Sequence, residues 1–150
     1  MKLPDPRKVR PPHYLEALLV VAALLQFICK PARVVYAKEL GAALLIAGFL
    51  FMVNAKGLFD RRKTPVRHNQ TPSALVTDGP FRFTRNPMYL GIEVLLTGIG
   101  LFAGTWPFLA VPVVMFCILN FGFIPWEEKL MSELFKDQYT AYCRQTRRWL

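Results

Sequence analysis

Cysteine, histidine and acidic residues are scarce in this 150-residue chain, and each shortage closes a class of function. Three cysteines (Cys29, Cys117, Cys143) with no C-x-x-C pair, and two histidines, leave neither a disulfide framework nor a closed zinc site. Asp and Glu number 10 against 19 Lys and Arg, for a formal net charge of +9. Charge of either sign is absent from Val94 to Trp126. Gly98-Ile99-Gly100 lacks the continuation and the flanking strand of a dinucleotide fingerprint. What is abundant is apolar: hydrophobic residues make up 53% of the chain and mean hydropathy is +0.28. A soluble domain this small does not hide that much apolar surface, and disordered and fibrous classes are excluded with it.

The apolar residues fall into four segments, so the expectation is an all-α integral membrane protein forming one domain over 1–150, with about four transmembrane helices. The spans are predicted at about 14–29, 40–59, 88–106 and 107–126, with an amphipathic cytoplasmic helix over about 127–146. Glu16 and Gln26 interrupt the first segment, which leaves open a tilted interfacial helix there. No A-x-A-like cleavage site follows it, so it is expected to be retained. Four basic residues precede the first segment (Lys2, Arg7, Lys8, Arg10), 7 lie from Lys56 to Arg85 and 5 follow Trp126. Four spans would thus put 16 of the 19 on one side, with Lys30, Arg33 and Lys38 on the other. Both termini and the middle loop are therefore expected in the cytoplasm. That asymmetry accounts for the basic charge without nucleic acid, because the aromatics sit mostly in the apolar spans.

The middle loop, 60–86, carries the punctuation of Thr64-Pro65, Thr71-Pro72 and Gly79-Pro80, and opens with a basic run, Arg61-Arg62-Lys63, that suits lipid headgroups. The turn around Gly104-Thr105-Trp106-Pro107 is so short that the last two spans must form an antiparallel hairpin. Glycines 91, 98, 100 and 104 would let helix backbones approach closely. The hairpin also brings Arg85, at the start of its first helix, to the depth of Glu127 and Glu128, at the end of its second. Singly, each has a structural explanation: Asn86-Pro87 as an N-cap followed by proline, Arg85 as positive-inside charge, and the acids as favourable helix N-terminal charges. Glu93, the one acid inside the later spans, is expected to carry function or to meet a polar neighbour such as Asn54 or Asn120.

The run Leu75-Val76-Thr77-Asp78-Gly79-Pro80-Phe81-Arg82, followed by Thr84-Arg85-Asn86-Pro87-Met88-Tyr89-Leu90-Gly91, resembles the R-H-P-x-Y-x-G signature of the isoprenylcysteine carboxyl methyltransferase and phospholipid methyltransferase superfamily. Glu127-Glu128 resembles its paired acids, and Phe135, Tyr139, Tyr142 and Arg147-Arg148-Trp149-Leu150 are similar to the tail of its small prokaryotic members. The resemblance implies S-adenosylmethionine as methyl donor and a lipophilic small-molecule or lipid acceptor in the bilayer, in a prokaryotic cytoplasmic membrane. By the same resemblance Gly79, Arg85, Asn86, Pro87, Tyr89, Gly91, Glu127 and Glu128 are expected at the cofactor, with Arg85, Arg148 and Tyr142 as catalytic candidates. Methyl transfer from a sulfonium needs positioning and a dry approach, so no metal is expected. Asn86 stands where better-known members have histidine and cannot titrate, so no acid-base role transfers to it. An arginine fork suits an acceptor carboxylate, which tips the expectation toward O-methylation; the alternatives are a phospholipid-type amine acceptor or a non-catalytic membrane adaptor or transporter component. Leu130, Met131, Leu134, Phe135, Tyr139 and Tyr142 recur at helical spacing after the acids, as an interfacial anchor or a lid over the cofactor.

Overall fold

The computed structural model describes residues 11–35, 37–61 and 73–150. The basic N-terminal residues (Lys2, Arg7, Lys8, Arg10), Arg62-Lys63, Thr64-Pro65 and Thr71-Pro72 lie outside these. The described residues are mostly helical, with one isolated bridge and no strand: α1 (Pro11–Cys29), α2 (Lys38–Arg61), α3 (Pro87–Ala103), α4 (Trp106–Ile118) and α5 (Ile124–Gln145), with a 3₁₀ turn at Gly79–Arg82. By length and composition α1, α2 and the combined α4–α5 helix can cross a membrane, and α3 is a shorter apolar helix. The chain is an α-helical integral membrane protein.

Glycines set the closest approach in the bundle. Gly41 and Gly48 of α2 face Gly98 and Gly91 of α3, and a Cβ at Gly48 would stand 2.5 Å from the Leu95 nitrogen and 2.7 Å from the Gly91 carbonyl oxygen. Gly41 meets Phe102 and Gly98 in the same way, one heptad earlier. Both glycine pairs keep one antiparallel register, so α3 runs alongside α2 through the same layer despite its 17 residues. Nothing in the sequence distinguishes Gly41 and Gly48, whereas the short turn at Gly104 assigns the later glycines to the α3–α4 hairpin. Gly100 does serve that hairpin, its Cβ position lying 3.0 Å from the Phe108 carbonyl oxygen.

α1 packs on the far side of α4, where Ala22, Val111, Met115, Leu119 and Phe123 form a core with Leu96 of α3 and with Tyr14, Leu18 and Leu19 of α1. α1 is therefore packed into the bundle, and by length and composition it can cross a membrane. Gln26, which interrupts its apolar sequence, accepts a 2.7 Å hydrogen bond from the Thr105 hydroxyl. The backbone N-H groups of Val34 and Val35 donate to the Gly104 carbonyl (2.8 and 3.1 Å), so the α1–α2 connection and the α3–α4 turn sit together at one end. Gly104 takes φ 70°, the left-handed conformation that closes α3 with a short turn.

One boundary differs from expectation. No break falls at the expected boundary between 126 and 127; helix continues from Trp106 through it to residue 135, and the break comes at Lys136, whose φ of 45° and ψ of −117° leave helical geometry before helix resumes to Gln145. Beyond Lys136 the chain turns back, so that Glu128 and Thr146, 18 residues apart, both reach the Arg85 guanidinium. The polarity change at Trp126-Glu127 falls mid-helix. A milder irregularity, a π turn at Leu119–Phe123, precedes the Lys136 break. Pro125 has no N-H for the ladder, and the wide turn just before it re-routes the Ile124 N-H to the Leu119 carbonyl.

Candidate functional site

The end of the bundle opposite Gly104 collects the polar signature. Asp78 to Asn86 approaches α3 through the 3₁₀ turn, whose Phe81 is buried with Ala55 and Val76. Residues 146–150, after α5, return along this segment and make a parallel bridge between Thr84 and Arg147. The Arg85 N-H donates to the Arg147 carbonyl at 2.9 Å. The Thr84 hydroxyl and the Asn86 amide both donate to the Arg148 carbonyl at 3.0 Å. Trp149 stacks on Phe116 at 5.0 Å between centroids, and its indole N-H donates to Asn120 Oδ1 at 3.0 Å.

Within this frame Arg85 and the acids are neighbours, as the hairpin argument requires. Arg85 Nη2 donates to Glu128 Oε1 at 2.7 Å and its Nη1 to the Thr146 carbonyl at 2.6 Å. Arg148 closes on the same carboxylate bidentately, Nε to Oε1 at 3.1 Å and Nη2 to Oε2. Burial opposes the charge on Glu128, but hydrogen bonds from Arg148 and Arg85 outweigh it and hold the carboxyl below the usual range. Burial likewise works against the Arg85 charge, and the Glu128 hydrogen bond reverses the balance, leaving its pKa raised. Glu127 is engaged differently, accepting a 2.7 Å hydrogen bond from the Tyr89 hydroxyl.

The other expected residues surround this cluster without joining it. Gly91 is buried against α2, its Cβ position 3.0 Å from the Gly48 carbonyl oxygen, which makes it a packing residue. Gly79 has φ 58° and abuts Leu58, so glycine serves the turn there. Pro87 is buried in the first turn of α3. Asn86 occupies the cap position but makes no side-chain cap; its amide tethers the Arg148 carbonyl instead. Tyr139 and Tyr142 are 7% exposed, so neither is a headgroup-level anchor. The Tyr142 hydroxyl donates to the Phe81 carbonyl at 2.7 Å, pinning the 3₁₀ turn to α5, and burial pushes its pKa up. Glu93 meets neither expected partner: Asn120 is taken by Trp149, Asn54 is exposed, and Glu93 Oε1 has no hydrogen-bond partner among the described residues. The Arg148 fork closes on Glu128 and the Arg85 fork divides between Glu128 and the Thr146 carbonyl, so the two-donor faces expected to meet an acceptor carboxylate are engaged within the protein.

Thr84, Asn120, Thr146 and Trp149 complete the site and were not selected from sequence. Thr84 and Trp149 lay within the resembling motifs without being singled out, while Asn120 and Thr146 are small polar residues near helix ends that carry no pattern of their own.

Against known families, the phospholipid methyltransferase profile matches residues 36–138, which holds both the signature and the paired acids. The chain belongs to the phospholipid methyltransferase family. This places it in the superfamily shared with the isoprenylcysteine carboxyl methyltransferases, and the membership implies a membrane methyltransferase rather than an adaptor. No curated protein and no solved structure matches the chain.

S-adenosylmethionine, the donor associated with this family, carries an ammonium, a carboxylate and a sulfonium, so a fitting site needs both signs of charge at short range. Two guanidiniums and two carboxylates meet here, and the buried Arg85 Nε has no hydrogen-bond partner among the described residues. The residues fit the donor. Among the described residues no group of three His, Cys, Asp or Glu side chains is placed to hold a metal.

Proposed function

We propose that the chain binds S-adenosylmethionine at the Arg85–Glu127–Glu128–Arg148 cluster and transfers its methyl group to a lipophilic acceptor that arrives from the bilayer. The observation carrying this reading is the Arg85–Glu128–Arg148 ion triad beside the Tyr89–Glu127 hydrogen bond, where signature and paired acids meet. When bound, the donor supplies an electrophilic methyl on a cationic sulfur. The protein's part is to bind, orient and exclude water.

The two acids divide that work. Glu128 is neutralised by two arginines and acts as a positioning residue that holds Arg85 and Arg148 in place. Glu127, whose oxygen is oriented by the Tyr89 hydroxyl, is the acid for the donor's ammonium. Arg85, through its Nε edge, is the partner for the donor's carboxylate. Asn86 and Thr84 hold the Arg148 carbonyl, keeping residues 146–150 over the cluster as a cover. A histidine at position 86 is not needed for that tether, because it requires an N-H donor and no titration. The site faces the cytoplasm in this reading, following the bias of 16 basic residues among 19 to its side of the membrane.

Calorimetric titration of the detergent-solubilised protein with S-adenosylmethionine, followed by methylation of a lipid extract with labelled donor, tests the proposal. Saturable binding and label transfer are expected; base-labile label marks a methyl ester and base-stable label a methylated amine. A folded protein that takes up no donor would overturn it.

A further inference from the structure

One polar side chain of the spans stands apart from the proposed donor contacts yet touches the segment that covers them. From Val94 to Trp126, where no residue is charged, Asn120 is the one side-chain amide. An amide in an apolar span opposes insertion, so its hydrogen bonds decide what it contributes. Its Oδ1 accepts from the Trp149 indole N-H at 3.0 Å and from Arg148 Nη1 at 3.5 Å. Phe116, about one helical turn before it, stacks on the same indole with centroids 5.0 Å apart. The end of a membrane span thus grips two consecutive side chains of the covering segment, whereas Thr84 and Asn86 hold only the Arg148 backbone carbonyl.

The π turn sets the direction of that grip. At about 100° per residue, Glu128, eight residues beyond Asn120, would point roughly 80° away from it on an uninterrupted α-helix. The extra residue of a π turn takes back about one such step, which leaves the two on nearly one face. Arg148 spans the pair as that alignment requires: its Nη1 meets Asn120 while its Nε and Nη2 close on Glu128. The irregularity at Leu119–Phe123 therefore lines up an amide of the span with a carboxylate of the site.

We propose that Asn120 is a positioning residue for the donor site: from the end of the apolar span it orients Arg148 and Trp149 and keeps residues 146–150 closed over bound donor. What it must supply is an acceptor oxygen, since both of its partners are donors. Leucine, of similar size, suits the span better and satisfies neither donor, whereas aspartate keeps the acceptor. Retention of the donor rests on the S-adenosylmethionine reading above; the hold of the amide on Trp149 does not.

Asn120→Leu, Asn120→Asp and a control in the same π turn, Phe121→Leu, where the phenylalanine is 71% exposed, test this in the detergent-solubilised protein. Two quantities are followed: the fluorescence anisotropy of Trp149, taken as the part of the signal lost in Trp149→Phe, and the release rate of labelled S-adenosylmethionine chased with unlabelled donor. Asn120→Leu should lower the anisotropy and speed release at least about tenfold, with thermal unfolding near wild type. Asn120→Asp should restore both, and Phe121→Leu should match wild type. Trp149→Phe, which leaves α4 untouched and removes only the indole donor, should speed release in the same direction, and it decides the matter should Asn120→Leu not fold. Wild-type release in Asn120→Leu or in Trp149→Phe, or a loss that Asn120→Asp shares with Asn120→Leu, would overturn the proposal. A wild type that binds no donor would instead sink the methyltransferase reading, and the Trp149 anisotropy would then decide alone whether Asn120 anchors the segment.

Discussion

At the scale of single residues, the paired acids are chemically alike and differently employed. Glu127→Gln keeps an acceptor for the Tyr89 hydroxyl and loses one charge, so donor affinity should fall at least about tenfold, or roughly 1.4 kcal/mol, with little change in thermal stability. Glu128→Gln leaves two guanidiniums without their shared carboxylate. It should lower stability by about 1–3 kcal/mol, discounted from a fully buried pair because Glu128 retains 20% side-chain exposure. Thermal unfolding in detergent and donor titration, run on both variants, separate the roles; equal effects would deny the division. The sign of the pH dependence follows from Glu128. Its folded pKa is depressed, so its contribution is complete above the ordinary carboxylate value of about 4.3 and is lost as pH falls through the lower folded value. Arg85→Lys retains charge, yet one ammonium cannot reproduce the fork that reaches both Thr146 and Glu128. Turnover should fall by about tenfold or more, and full activity of the lysine variant would remove Arg85 from the site.

Among elements, the α2–α3 crossing tolerates little change, because the atoms nearest Gly41, Gly48 and Gly98 are backbone and cannot rotate away. Gly48→Ala would push a methyl to 2.5 Å from the Leu95 nitrogen. Separating the helices to admit it should lower stability by about 1–3 kcal/mol. Gly57→Ala, with nothing near its Cβ position, is the matched control and should be neutral or slightly stabilising. Thermal unfolding of the two variants side by side checks this. The 146–150 segment is the second element with a measurable role: its carbonyls receive Thr84, Arg85 and Asn86. Trp149→Ala should loosen the segment and reduce turnover, while unfolding shifts less than for Gly48→Ala.

For the whole molecule, the open question of sidedness reduces to two ends. The α1–α2 connection and the α3–α4 turn share one end through the Val34 and Val35 hydrogen bonds to Gly104, and the site occupies the other. With Cys29, Cys117 and Cys143 replaced, cysteines at the exposed Ser73 and Ser132 should label from the cytoplasm, and one at the exposed Ala32 from the opposite side. Thr105 is unsuitable for the second role, being 6% exposed and bonded to Gln26. Labelling of Ser73 from outside would invert the proposed orientation.

The apolar runs alone determine that this chain is a helical membrane protein, since about 20 uncharged residues have no other stable place. Spacing alone also brings Arg85 to Glu127-Glu128, because a short turn forces the hairpin and equal lengths align its ends. Which helices touch most closely, and which arginine meets which acid, was decided only in three dimensions. Gly41 and Gly48 look like any membrane-helix glycines until their register with Gly98 and Gly91 is known. The continuity of α4 into α5 is invisible to hydropathy, which marks where the membrane stops and not where the helix does. Arg148 lies 20 residues beyond Glu128 and 62 beyond Asn86, and Trp149 lies 29 beyond Asn120. They reach these partners only because the segment after α5 folds back over the start of α3, a long-range contact that no local pattern encodes.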